Sequence, residues 1–203
     1  RKVVLKKMAG KPIEVYSFFS GAGFLDLGFE EAGFDIVFVN EFNKQFLNVY
    51  QYARRNNEKL PQYGYSNEDI RNFLSDENWY SRFPRYNDRT NKGPPCPDFS
   101  VAGKNEGETG VNGQLTSVYV DLIVCREPDF FVFENVKGLY RTQKHREFYE
   151  KLKGRLEKSG YVLFDAVENA IEYGAPQYRE RLVFFCFWVI KSIIRLEAII
   201  NII

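Results

Sequence analysis

The chain has 203 residues, 44% of them hydrophobic and 27% charged, which suits one substantial folded domain and excludes a disordered or collagenous chain. Twenty-eight lysines and arginines against twenty-seven aspartates and glutamates leave a formal charge of +1, so any polyanion partner must be met by a local patch. Cys96, Cys125 and Cys186 cannot all pair, the basic start Arg1 to Lys11 is no secretory leader, and Lys191, Arg195 and Glu197 keep the most apolar stretch short of the roughly 18 residues of a membrane span; a reducing, cytoplasmic setting is expected.

Residues 13–19 form an apolar run, followed at once by SGAGFLDLGFEEAGF and by a second apolar run at Ile36–Val39. The pattern predicts strand, tight turn, helix, strand. Asn43 to Arg55 has helical spacing. From Asn56 to Lys92 the chain is polar and turn-rich, with Ile70, Phe73 and Leu74 as its clear apolar cluster, and is expected to be mostly loop. Gly93, Gly103, Gly107, Gly110 and Gly113 are spaced as in a moving lid. Leu115 to Arg126 reads as a helix, and the run at 130–135, too short for a helix and too apolar for an exposed strand, as a central strand. Gln143 to Ser159 predicts an amphipathic helix closing at Gly160, and Tyr161–Val167 and Leu182–Phe187 two further strands. This alternation predicts an α/β domain with a mostly parallel sheet, helices on both faces, and ligands at the carboxyl ends of the strands. Residues 189–203 hold seven isoleucines against four in residues 1–170; this atypical tail reads as a last core helix before a partner-binding one.

The turn Phe19-Ser-Gly-Ala-Gly23 lets the backbone approach a ligand with amides outward at a helix N-terminus, as a nucleotide requires; tight packing is the competing reading. The second strand ends at Asn40-Glu41-Phe42, where a carboxylate can accept ribose hydroxyls and a ring can stack on a base. A helix cap at Asn40 with a buried Phe42 is the alternative. Cys96 stands among three prolines in GPPCPDFS, where stiff backbone presents the sulfur as a nucleophile, unless the segment is only a proline-rich turn. Cys125 and Cys186, in apolar runs, read as small buried hydrophobes. Glu134 ends an apolar strand at the ligand edge, in surroundings expected to raise its pKa, or else pairs with an arginine to fix a loop. Arg179 and Arg181 in QYRER share one face if extended, suiting phosphate, or a carbonyl oxygen plus a carboxylate; surface charge is the alternative. His145 has no partner at ligand spacing and reads as surface, and no metal pattern is present.

Taken in order, FSGAG, PPCPDFS, ENV and QYRER resemble the DNA cytosine-5-methyltransferase family that uses S-adenosylmethionine, over roughly residues 13–187. The resemblance implies a Rossmann-like S-adenosylmethionine-dependent methyltransferase fold, S-adenosyl-L-methionine as cofactor with no metal, double-stranded DNA as partner, and a bacterial role in DNA methylation within restriction-modification. It implies that Phe19, Gly21, Gly23 and Leu25 shape the methionine pocket, that Glu41 holds the ribose and Phe42 packs on adenine, that Asp69 and Ile70 read the adenine edge, and that Pro95 joins the cofactor contacts. It makes Cys96 the nucleophile on carbon 6 of a flipped cytosine, Glu134 the group that hydrogen-bonds or protonates ring nitrogen 3, and Arg179 and Arg181 the holders of the base oxygen, Glu134 and the thiolate site. It further implies that the glycine-rich lid expected at 101–113 closes over the DNA.

The sequence also departs from the family. The apolar strand usual before the cysteine loop is replaced by the polar Tyr86 to Lys92, so that strand is expected to be lost or displaced. Pro97 stands where glutamine often follows the nucleophile, and Phe24 where a further glycine is common. Residues 182–203 leave no room for a target-recognition domain or the carboxyl-terminal motif beside the cofactor, so the expected organisation is an N-terminal extension at 1–12, the catalytic core at 13–187 and the tail at 188–203. A truncated core, or one dependent on a second chain for target recognition, is the first reading. An inactive cofactor-binding remnant and an RNA-directed cytosine-5-methyltransferase are the alternatives.

Overall fold

The computed structural model describes residues 12–56, 59–83, 95–96, 111–136 and 143–188, with backbone alone for 80, 95–96, 111–113, 136, 143–145 and 187–188. The chain opens with β1 (Glu14–Phe18), buried along its whole length, then α1 (Phe24–Glu31), β2 (Asp35–Asn40), α2 (Lys44–Ala53) and the two-residue β3 (Tyr65–Ser66). These strands form a parallel ladder in the order β1-β2-β3, with Phe18 opposite Asn40 and Asn40 opposite Ser66. An extra residue in β2 shifts the register after Val15.

A second ladder holds β4 (Pro95–Cys96), β5 (Phe130–Val136), β6 (Tyr161–Asn169) and β7 (Glu180–Trp188), in the order β4-β5-β7-β6. β4 runs parallel to β5, whereas β7 is antiparallel to both its neighbours. β4 lies near β1, so the two ladders adjoin in the order β3-β2-β1 and β4-β5-β7-β6. The expected mostly parallel α/β sheet is present, with β7 as the reversed strand of its ladder.

Four helices pack on one face: α3 (Ile70–Leu74), α4 (Trp79–Arg82), α5 (Val111–Arg126) and α6 (Gln143–Lys158). Two of them are short helices inside the stretch 56–92 expected to be mostly loop, whose described residues do lie mostly outside helices and strands. Trp79 and Phe83 are each 1% exposed, their rings 4.6 Å apart, and Phe83 lies 4.8 Å from Phe38. Segments of four and five residues are too short for periodicity to declare them, and it is this aromatic packing that makes them helical. Arg126 of α5 secures them by donating to the carbonyls of Phe73, Leu74 and Asp76.

α5 begins at Val111 and therefore takes up the end of the stretch expected to be a lid, while Pro95–Cys96 falls in β4. The rest of that stretch, residues 93–94 and 97–110, lies outside the described residues, as do Tyr86 to Lys92, residues 1–11 and the tail at 189–203. Cys186 is buried as expected, but Cys125 is exposed, because it falls on the outer side of α5.

On the other face, α1 and α2 cover β1 and β2 through Val15, Ile36, Val39, Leu47 and Tyr50. The cover thins towards β6, where Val162 and Phe164 are exposed. Among the described residues, no helix is long and apolar enough to cross a membrane.

Candidate active site

The turn after β1 is fixed by its own backbone and by one carboxylate. Phe19, Gly21 and Gly23 all have positive φ (53°, 55° and 86°), and the Gly23 amide donates to the Ser20 carbonyl at 2.9 Å. Only glycine adopts such angles without strain, and Phe19 does so as a non-glycine residue. Glu41, 8% exposed at the end of β2, accepts the Gly21 amide on Oε2 (2.8 Å) and the Asn43 amide on Oε1 (2.7 Å). One side chain thus joins the turn after β1 to the start of α2.

The alternative of a helix cap at Asn40 does not hold, since the cap of α2 is Asn43, whose Oδ1 accepts from Gln45 and Phe46. Asn40 instead donates to the carbonyls of Ser66 and Glu68, tying β2 to the loop before α3. Phe42 is 65% exposed, which removes the reading of a buried ring and leaves its face open beside Glu41. Asp69 caps α3 through the Arg71 amide and pairs with the Arg71 guanidinium at 2.8 Å. Ile70 is buried, so a ligand could meet only its main chain. Leu25 is half-buried in the first turn of α1, and Phe24 is 84% exposed, so no packing demands the glycine usual there.

Behind the turn lies a polar cluster that the sequence reading missed. Asp26, 1% exposed, accepts from Ser17 Oγ on Oδ1 and from the Tyr50 hydroxyl on Oδ2, both at 2.9 Å. Arg54, just after α2, donates through Nη2 to the Gly23 carbonyl (3.0 Å) and to Glu30 Oε2 (2.9 Å), with its guanidinium 4.1 Å from the centre of the Tyr50 ring. A lone acidic residue inside the apolar FLDLGF was the available signal.

Burial raises the Asp26 carboxyl from 3.8 to about 6, against the hydrogen bonds from Ser17 and Tyr50 and the Arg54 charge, which pull it down. Burial and then the Asp26 charge push the Tyr50 phenol up, so it stays protonated and donates. A carboxyl raised on folding stabilises fully below its unfolded value, near pH 4, and that contribution is lost as pH rises through about 6. The shift is worth about 3 kcal/mol. Asp26→Asn, which cannot ionise, should therefore gain stability relative to the parent as pH rises from about 4 to about 7. Thermal melts of both proteins across that range check it; a difference independent of pH would refute the account of Asp26.

The other half of the site lies on the second ladder. Backbone register sets Cys96 opposite Phe133, one residue before Glu134 on β5. Glu134 Oε1 pairs with Arg181 Nε at 2.8 Å, diagonally across β5 and β7, where Arg181 itself faces Val136. Of the two sequence alternatives for Glu134, the structure shows an arginine pairing, and the partner is a strand residue rather than a loop. Arg179 is exposed just before β7, with its amide on Asn169 Oδ1, and the structure does not bring it to Glu134. The side chains of Cys96, Pro95 and His145 lie outside the described residues.

A mostly apolar cavity of about 310 Å³ is lined by Leu25 and Phe29 of α1 together with Val132, Glu134 and Val183 of the second ladder. Among the described residues, no group of three or more His, Cys, Asp and Glu side chains could hold a metal ion.

Comparison with known proteins gives a consistent result. The profile of C-5 cytosine-specific DNA methylases matches residues 13–194. The type II methyltransferase M.NmeDI of Neisseria meningitidis serogroup C is 53% identical over 187 residues, which cover 85% of this chain and 43% of that protein. M.FnuDI of Fusobacterium nucleatum, also a type II methyltransferase, is 36% identical over 175 residues, 86% of this chain and 47% of its own. The chain thus spans less than half the length of these relatives. Among solved structures, a prophage-encoded E. coli protein assigned as a DNA modification methyltransferase superposes with a TM-score of 0.67 at 25% identity, over 87% of this chain and 47% of that one. The S. pombe Dnmt2 methyltransferase shares the fold, with a TM-score of 0.60 at 18% identity over 86% and 50% of the two chains.

Proposed function

The chain belongs to the C-5 cytosine-specific DNA methylase family, and from that premise we propose that it is the catalytic core of a DNA (cytosine-5-)-methyltransferase. Its substrate is a cytosine flipped out of double-stranded DNA, since the ring carbons that react are shielded inside the duplex. The type II names of the relatives support a role in restriction-modification. Reading of the target sequence is assigned to the part of those relatives outside the match, carried on this chain or on a second one.

The observation that carries this reading is the register that pairs Cys96 with Phe133, the residue just before Glu134 on β5, with Glu134 held by Arg181. In the proposed reaction the Cys96 thiolate adds to carbon 6 of the base. Glu134 hydrogen-bonds or protonates ring nitrogen 3, so the electron pair displaced into the ring is stabilised and carbon 5 becomes nucleophilic. The Arg181 ion pair fixes the carboxyl at that nitrogen, and Arg179, exposed nearby in sequence, is assigned to the base oxygen. After carbon 5 is methylated its proton leaves, the ring double bond re-forms and Cys96 is expelled.

S-adenosylmethionine, when bound, supplies the electrophilic methyl group. The residues fit it: a turn of positive-φ glycines, a carboxylate at the end of β2 and an open aromatic face beside it are what an amino-acid tail, a ribose and a purine require. Phe19, Gly21, Gly23, Leu25 and Pro95 are assigned to the methionine part, Glu41 to the ribose, Phe42 to the adenine face, and Asp69 with the Ile70 main chain to its edge.

Calorimetry with S-adenosylhomocysteine tests the cofactor assignment. The parent chain should bind, and Glu41→Ala should bind at least tenfold more weakly, the loss of roughly one charged hydrogen-bond acceptor. Equal affinities would remove Glu41 from the site, and no binding by the parent at about millimolar ligand would remove the cofactor assignment for this chain.

A further inference from the structure

The glycine turn is gripped from two sides, and only one grip comes from a residue at a strand end. Glu41 holds the Gly21 amide from the ligand side. From behind, the Arg54 guanidinium holds the Gly23 carbonyl, which also accepts the Leu27 amide and so forms the first hydrogen bond of α1. Arg54 is itself fixed: Glu30 accepts from Nε and Nη2, and the Tyr50 ring lies against the guanidinium. It is 7% exposed, unusual for arginine at a helix end, and burial works against its charge while the Glu30 hydrogen bond holds its pKa above the ordinary value. An arginine buried and aimed at a main-chain carbonyl sets the direction of the peptide planes there.

We propose that Arg54 is a positioning residue for methyl-donor binding: by holding the Gly23 carbonyl it fixes the orientation of the turn amides that meet the amino-acid end of S-adenosylmethionine. This rests on the donor-binding reading of the turn given above. Tyr50 and Asp26 complete the support, because the Asp26 carboxyl locks the phenol and the phenol ring locks the guanidinium. The adenosine half of the donor meets Glu41 and Phe42 instead, and does not depend on Arg54.

That division gives the test. In the full chain, Arg54→Met should weaken S-adenosylhomocysteine about tenfold while changing adenosine, which lacks the amino-acid end, less than about twofold. Arg54→Lys, which keeps a donor within reach of the carbonyl, should recover part of the loss. A folded Arg54→Met chain that binds both ligands like the parent, or loses both equally, overturns the proposal, the second result marking a merely structural residue. A ligand-free measurement separates this outcome from failure of the donor assignment itself. Amide exchange in Arg54→Met should rise about tenfold or more at Gly23 and Leu27 while Val15 to Phe18 in β1 keep their protection. Unchanged exchange at Gly23 and Leu27 overturns the positioning role even if the parent binds no ligand at all.

Discussion

Gly23→Ala should melt well below the parent and lose S-adenosylhomocysteine binding altogether. Gly23 has φ 86°, where an alanine is strained, and a Cβ built there meets Tyr50 Cε2 and Arg54 Nη1 at 2.5 Å. Neither neighbour can retreat cheaply. The Tyr50 ring is anchored through its hydroxyl to Asp26, and Arg54 through Glu30. Backbone strain and overpacking together should cost about 2–6 kcal/mol, a large fraction of the stability of an ordinary domain. Gly21→Ala is the control, because φ is also positive (55°) but no atom lies within 4 Å of the added carbon. It should lose only about 1–2 kcal/mol of backbone preference. Thermal melts and calorimetry on the three proteins check this, and equal losses in the two variants would mean that the close approach of Tyr50 and Arg54 is not what demands glycine.

That pair of glycines shows what the sequence could and could not convey. The turn, the strand before it and Glu41 after the second strand were legible because each is a local pattern: glycines at a strand-to-helix junction, and a carboxylate at a strand end. The arrangement behind the turn was not, since Asp26, Tyr50 and Arg54 meet only after α2 folds back on α1, and no spacing rule links residue 23 to residue 54. The same limit explains 56–92. Ile70 and Phe73 were visible as an apolar cluster, but the burial of Trp79 and Phe83 comes from rings on distant strands, such as Phe18 and Phe38.

On the second ladder, the central strand at β5 was legible from its apolar run, and the partner of Glu134 only as one of two alternatives. Choosing between them needed the antiparallel register of β5 and β7, which sets Arg181 one diagonal step from Glu134. Cys125 failed for a related reason: an apolar helix still has an outer side, and position 125 falls on it.

Exposure of Cys125 makes it a real competitor for any electrophile, which sharpens the measurement that bears most directly on the reaction. Cys186 is buried, and burial holds its thiol protonated. A duplex oligonucleotide carrying 5-fluorocytosine, incubated with the chain and S-adenosylmethionine, should form a covalent complex through Cys96 alone. Fluorine at carbon 5 cannot leave as a proton does, so the double bond cannot re-form and the thioether to carbon 6 persists. Cys96→Ser should form none, a complete loss. Intact mass and peptide mapping then read out the site. An adduct confined to Cys96 and dependent on the donor is the expected result; an adduct on Cys125, one that survives Cys96→Ser, or none from a chain that binds both donor and DNA would contradict the assignment of this core to cytosine-5 chemistry.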